Sequence, residues 1–185
     1  MADVRISEIE AKLKAMGDYV KIDYLNRILK DQTSSDVKKF IFVKLADLYF
    51  DKGMYSEAGK KWIFVGDMTL KQSEKNSFYM RAAQSFIKAS AYIDSEEALK
   101  KAFQGELAVK DINAMKSAYK EMFKRQAEEY EKIGKRNKAV ELYERLLKLE
   151  INDVEKDEIK KKLLALYGSL GKIREFRSLG GFESS

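Results

Sequence analysis

The sequence predicts an all-α chain: a solenoid of about five antiparallel helical hairpins, each stacked on the next. Three observations carry this expectation. There is no proline among the 185 residues, so nothing forces a helix to break and turns fall to Gly, Asn, Asp and Ser. Two stretches share one pattern: Ala46, Tyr49, Gly53, Ala58 and Trp62 return as Ala127, Tyr130, Gly134, Ala139 and Tyr143, each shifted by 81 residues (127 − 46). A middle stretch, RAAQSFIKASAYIDSEEALKKAF from residue 81, places Ala98 40 residues after Ala58, with Ala89 where the first copy has Tyr49. Repetition at this interval marks helical units that cannot bury their apolar faces alone.

The expected hairpins span about residues 3–30, 36–71, 74–110, 112–150 and 153–178. In the first, Gly17 of KAMGDYVKIDYL stands 36 residues before Gly53. The second starts at Ser35, a good helix-capping residue. Within LADLYFDKGMYSEAGKKW, Ala46 and Tyr49 share one helix face and Ala58 and Trp62 share another. Gly53 allows the tight turn between them. The alanines let the two helices approach closely, while Tyr49 and Trp62 enter the seam with the next hairpin. In the third, Asp94 with Glu97 reads as a capping box that starts a helix just before Ala98. The fourth carries the second clear copy. The fifth opens at Asn152 with Glu155, and its Gly171 and Tyr167 echo Gly134 and Tyr130. Its Leu163, Leu164, Leu166 and Tyr167 either cap the core or expose an edge for self-association, and Leu179 to Ser185 are expected to form a mobile tail.

Charged residues make up 36% of the chain and hydrophobic ones 45%, a globular rather than a disordered balance for one domain covering residues 1–178. The opening stretch MADVRISEIEAKLKAM is charged throughout and unlike a secretory signal. Nothing approaches the roughly 18 apolar residues of a membrane span; the greasiest run, FIFVKLADLYF, contains Lys44 and Asp47. Together with the lack of cysteine, these features lead us to expect a cytoplasmic protein.

The chemistry-bearing patterns are few. GMYSEAGKK, residues 53–61, superficially suggests a phosphate-binding loop, but five residues rather than four separate Gly53 from Gly59, and Lys61 stands where Ser or Thr is needed. Without His or Cys, the usual zinc ligands and nucleophile–base pairs are missing. Glu128, Glu129 and Glu131, like Asp157 and Glu158, read as solvated helix faces beside lysines. No catalytic residue, cofactor or metal ligand is therefore expected. Lysines at 132, 135 and 138 with Arg136, and at 156 and 160–162, could contact phosphates in a salt-dependent way. Interleaved Glu155, Asp157 and Glu158, and the lack of an aromatic platform, argue against nucleic acid.

The interval pattern Ala46, Tyr49, Gly53, Ala58, Trp62 and its second copy resemble the tetratricopeptide repeat. The stretch AGKKWIFVGDMTLKQSEKNSFYMRAAQSFIKASAYIDSEEALKKAF resembles the variant repeats of the soluble NSF attachment proteins, over roughly residues 45–147. The chain departs from the first family in its longer interval and missing proline. It departs from the second in lacking an apolar membrane-contacting loop and a leucine-ended terminus, so SNARE disassembly is not carried over. The resemblance implies a right-handed superhelix and a non-catalytic adaptor or scaffold for a protein partner. It also implies a concave binding face at Phe40, Val43, Asp47, Phe50 and Asp51 in one copy and at Glu121, Lys124, Glu128, Glu131 and Lys132 in the other. FIFV at 40–43 makes its helix apolar nearly all round, which fits either a partner or packing against the N-terminal hairpin. Asp47 and Glu128 stand where chaperone-binding members carry asparagine, which argues against an acidic peptide ligand. Three alternatives stay open: an attachment-protein-like adaptor in membrane trafficking or ATPase recruitment, binding of RNA or an anionic surface through the C-terminal lysines, and assembly as a homo-oligomer.

Overall fold

A chain without proline and rich in Ala, Leu, Lys and Glu meets little intrinsic resistance to helix formation, and every regular element among the described residues is a helix. The structure, a computed structural model, describes residues 5–31, 33–105, 107–149 and 152–180. Among these residues the elements are α1 (Ile6–Leu13), α2 (Asp18–Ile28), α3 (Ser35–Asp51), α4 (Tyr55–Asp67), α5 (Gln72–Lys88), α6 (Tyr92–Ala102), α7 (Val109–Lys132), α8 (Arg136–Leu147), α9 (Asp153–Leu170) and α10 (Ile173–Ser178). No helix among the described residues is long and apolar enough to cross a membrane. Of the tail expected from Leu179 onward, residues 181–185 lie outside the described residues.

One turn is built four times. Gly53, Ser90, Gly134 and Gly171 all have positive φ, between +59° and +73°. In each case the amide of the following residue reaches back five positions: Met54 to Tyr49, Ala91 to Phe86, Lys135 to Tyr130 and Lys172 to Tyr167, at 2.8–2.9 Å. This is the Schellman closure of a helix C-terminus, which satisfies carbonyls that would otherwise be orphaned. Three residues before the aromatic stand Ala46, Ala83 and Ala127, and five after the turn stand Ala58, Ser95 and Ala139, every one of them at most 1% exposed. Ser95 donates its hydroxyl to the carbonyl of Ala83 at 3.1 Å, so even the polar member of the set is satisfied.

The turn corrects several expectations. In the third hairpin the repeat positions are Phe86, Ser90 and Ser95, three residues before the expected Ala89 and Ala98. Helix α6 starts at Tyr92 and not beside Ala98, and Asp94 sits in its first turn without capping it. Gly17 has a φ of −71° and precedes α2 as its cap, so it is no counterpart of Gly53. The cap of α3 is Ser34, whose Oγ accepts from the Val37 amide, rather than Ser35. The capping box at Asn152 and Glu155 is complete, with both reciprocal hydrogen bonds present.

The chain divides into two compact units, Met1–Ile112 and Asn113–Ser185, with α7 beginning in the first and continuing in the second. In the first unit, α3 packs on α4, α4 on α5 and α5 on α6. Ile9 and Leu13 of α1, Leu25 and Ile28 of α2, and Ile41 and Leu45 of α3 form its N-terminal core. Tyr49 belongs to that core and accepts a hydrogen bond from Asn26, so it packs toward the preceding hairpin and not the next one. Trp62 does enter the following seam, stacked on Phe78 at 5.7 Å. In the second unit α8 packs on α9 and α9 on α10, around Phe123, Leu142, Tyr143 and Leu163, each at most 2% exposed. Leu163, Leu166 and Tyr167 are buried there, and Leu164 is half-buried.

Two kinds of glycine hold this arrangement. A Cβ at Gly53 or Gly134 would meet nothing within 4 Å, so those residues are needed for their backbone conformation alone. Gly59 and Gly66 lie seven apart on one face of α4, where a Cβ would fall 2.6 Å from the Phe86 ring or collide with the Tyr79 ring of α5. Gly59, the second glycine of the apparent phosphate loop, is thus a helix-packing residue. Urea denaturation is expected to distinguish the two kinds. Gly53→Ala should lose about 1 kcal/mol from backbone strain, and Gly66→Ala about 1–3 kcal/mol from overpacking, with a rearranged α4–α5 seam.

Candidate functional site

A concavity lies within the second unit, between α7, α8 and α9. It is a cleft of about 410 Å³, within the rough 300–1,000 Å³ range of ligand pockets. Helical periodicity builds it. Ser117, Glu121, Lys124 and, further on, Glu128 and Glu131 follow one stripe of α7, while Glu155, Glu158, Ile159 and Lys162 follow one stripe of α9. Leu146 and Tyr143 of α8 close the base with Ile159, all three at most 5% exposed.

Its charges fall into two groups. At the base Lys162 donates to the Tyr143 hydroxyl at 2.9 Å, to Glu128 at 3.3 Å and to Glu131 at 3.4 Å, while Tyr143 in turn donates to Glu131. Burial pulls the Lys162 ammonium down, but the Tyr143 hydroxyl and the two carboxylates outweigh it and hold the group above the ordinary lysine range. Burial first, and Glu131 second, push Tyr143 up to about 12. At the rim Lys120 meets Glu155 at 3.2 Å and Lys124 reaches Glu158 only at 4.0 Å. Glu155 is held below its usual range, chiefly because it accepts the Asn152 backbone amide of the capping box and also by Lys120. Pairs this exposed contribute about 0–1 kcal/mol each, so an incoming ligand can displace them at little cost.

The residues anticipated from the sequence separate accordingly. Lys124 lines the cleft, with Glu121; Glu128 supports it through Lys162; Lys132 is exposed at the end of α7 and lines no part of it. In the first unit Phe40 and Phe50 pack partly buried against the N-terminal core. Phe50 also meets the edge of Tyr55 at 5.2 Å, and Lys44 lies over the Phe40 ring. The apolar side of α3 is therefore covered by the chain's own first hairpin. Val43 is half-buried on the same helix. Asp47 and Asp51 line a separate concavity of about 430 Å³ with Leu13, Leu48 and Lys21. Desolvation, only partly countered by Arg81 at 4.0 Å and reinforced by Asp51, raises the Asp47 carboxyl.

The sequence reading missed Lys120, Tyr143, Leu146, Glu155, Glu158 and Ile159 as site residues. It also grouped Lys162 with Lys160 and Lys161, although Lys162 turns inward to Tyr143 while Lys156 and Lys161 are exposed. The available signal was the i, i+3, i+4, i+7 spacing of Glu155, Glu158, Ile159 and Lys162. Comparison with protein-family models, with curated proteins and with solved structures finds no match to this chain.

The base of the cleft gives a pH-dependent expectation. A tyrosine whose folded pKa is raised from 10.0 to about 12 stabilises the fold fully below pH 10, and that contribution disappears as pH rises through 12. Tyr143→Phe keeps the ring and removes the hydroxyl. It should lose about 1 kcal/mol near neutral pH, and its gap from wild type should narrow between pH 10 and 12. Urea midpoints of both proteins at about pH 8 and about pH 11 check this.

Proposed function

We propose that the chain is a non-catalytic protein-interaction module, a tetratricopeptide-like right-handed stack of helical hairpins that presents the α7/α9 cleft to another protein. The observation that carries this reading is the cleft: an apolar base walled by two helices and rimmed by exposed, exchangeable ion pairs. Protein-binding surfaces have this anatomy, with an apolar centre inside a polar border. The Schellman turn shared by four hairpins, with buried small residues on both sides of it in three of them, supports the likeness to repeat proteins that serve as scaffolds. Phe40 and Phe50 are replaced as the proposed contact by the cleft, because their rings belong to the first unit's packing.

The test is site-specific photo-crosslinking. A benzophenone amino acid is placed at Ser117, exposed on the cleft wall, or at Ile93, exposed on α6 in the first unit, and each protein is irradiated in native extract. A protein partner is expected to crosslink at Ser117 and not at Ile93. The double charge reversal Glu121→Lys with Lys124→Glu should reduce the yield by about tenfold while circular dichroism stays unchanged. Equal crosslinking at both positions, insensitivity to the reversal, or recovery of only salt-removable nucleic acid or lipid would each overturn the proposal.

A further inference from the structure

Resting on the reading of the chain as a protein-interaction module, we infer that the occupant of the α7/α9 cleft is a basic amphipathic segment. Such a segment presents an apolar side chain flanked by lysine or arginine.

The argument starts from charge. The chain carries a net charge of +6, so a random patch of its surface should be neutral or positive. The cleft is the reverse. Its ammonium groups are Lys120, Lys124 and Lys162; its carboxylates are Glu121, Glu155 and Glu158, joined by Glu128 and Glu131, which hold Lys162. The walls alone balance, three against three; with the two glutamates that hold Lys162 the sum is five carboxylates against three ammonium groups, two negative charges over in a chain of opposite overall sign. An acidic segment would approach Glu121 and Glu158 at the rim, whereas a basic one meets complementary charge there.

The position of the excess is informative too. Lys162 is shared among Tyr143 and two glutamates, and Lys120 is engaged by Glu155. Among the described residues Glu121 makes no hydrogen bond or ion pair, and Glu158 has only Lys124 at 4.0 Å with 62% of its side chain exposed. Of the two surplus charges, one sits at the base, where Glu128 and Glu131 share Lys162, and one at the rim, where Glu121 on α7 and Glu158 on α9 have only Lys124 between them. Leu146, Ile159 and the Tyr143 ring form the base of the same cleft. A guanidinium can bridge a carboxylate with two parallel hydrogen bonds, and an apolar side chain beside it gains from leaving water at the base. The two features together call for leucine-like and arginine-like groups adjacent on one segment.

The test titrates the full chain with three fluorescein-labelled peptides of equal length, built from leucine and arginine, leucine and glutamate, or serine and arginine, and reads anisotropy. The leucine–arginine peptide is expected to bind. Glu121→Gln with Glu158→Gln should weaken it about tenfold without moving Tm, and Lys156→Gln with Lys161→Gln should leave it unchanged. Equal or tighter binding of the leucine–glutamate peptide would overturn the basic preference and leave the interaction module standing. Equal binding of the serine–arginine peptide would show bare counterion attraction, and an unaffected glutamine variant would show binding elsewhere; either overturns the inference. If none of the three binds, the inference and the assignment of the cleft as a protein-docking site fail together.

Discussion

Each of the last four hairpins depends on one backbone event: a single residue held at positive φ, from which the next amide reaches back five positions to a buried aromatic residue's carbonyl. That event fixes more than a change of direction. Because the reach-back is always to Tyr49, Phe86, Tyr130 or Tyr167, the rotation of the second helix about its axis is set relative to the first. The small residues three positions before each aromatic and five after each turn are then buried in three of the hairpins. Where they are small the helices pack closely; in the last hairpin the corresponding residues are Leu164 and Phe176, and α10 buries nothing fully. Ser90 shows that the turn does not require glycine. An L-residue there pays roughly 1–2 kcal/mol, which the surrounding third hairpin, with the Ser95 to Ala83 hydrogen bond at its centre, outweighs.

Fixing the helix rotations also decides what each charged residue can do. On α9, Lys161 and Lys162 are adjacent in sequence but about 100° apart around the axis. One projects into water, and the other becomes the shared donor to Tyr143, Glu128 and Glu131. The second unit thus has a tightly bonded base whose polar groups satisfy one another, beneath a rim where the Lys124–Glu158 pair is long and exposed. Strength at the base keeps the walls in register; weakness at the rim leaves charge for a partner to use.

Much of this was legible in the sequence, and the failures have identifiable causes. The existence and order of the hairpins followed from the spacing of Ala46, Tyr49, Gly53 and Ala58, since only a tight turn between two close helices requires those residue types at those intervals. The middle register slipped by three residues because Ser90 and Ser95 replace glycine and alanine there, while Ala89 and Ala98 offered a false match at nearly the right distance. The status of Phe40 and Phe50 was not legible, because a helical stripe records that something apolar covers it without saying what. Here the cover is Ile9, Leu13, Leu25 and Ile28, tens of residues away or across a loop. The cleft was half legible: Lys124 and Glu121 lay on an expected face, but their counterparts on α9 were indistinguishable from the neighbouring lysines until the axial rotation was known.

The single tryptophan of the chain has a consequence of its own. Trp62 is 3% exposed, stacked on Phe78 and covered by the Arg81 guanidinium 4.8 Å from its ring. Its fluorescence therefore reports on the α4–α5 seam of the first unit. The second unit, which holds the cleft, contains tyrosines but no tryptophan. Nature has in effect labelled one unit and left the other dark, so selective excitation of tryptophan follows the melting of the first unit, while far-ultraviolet dichroism sums both. Any interval between the two signals measures how independently the cleft-bearing unit holds its fold.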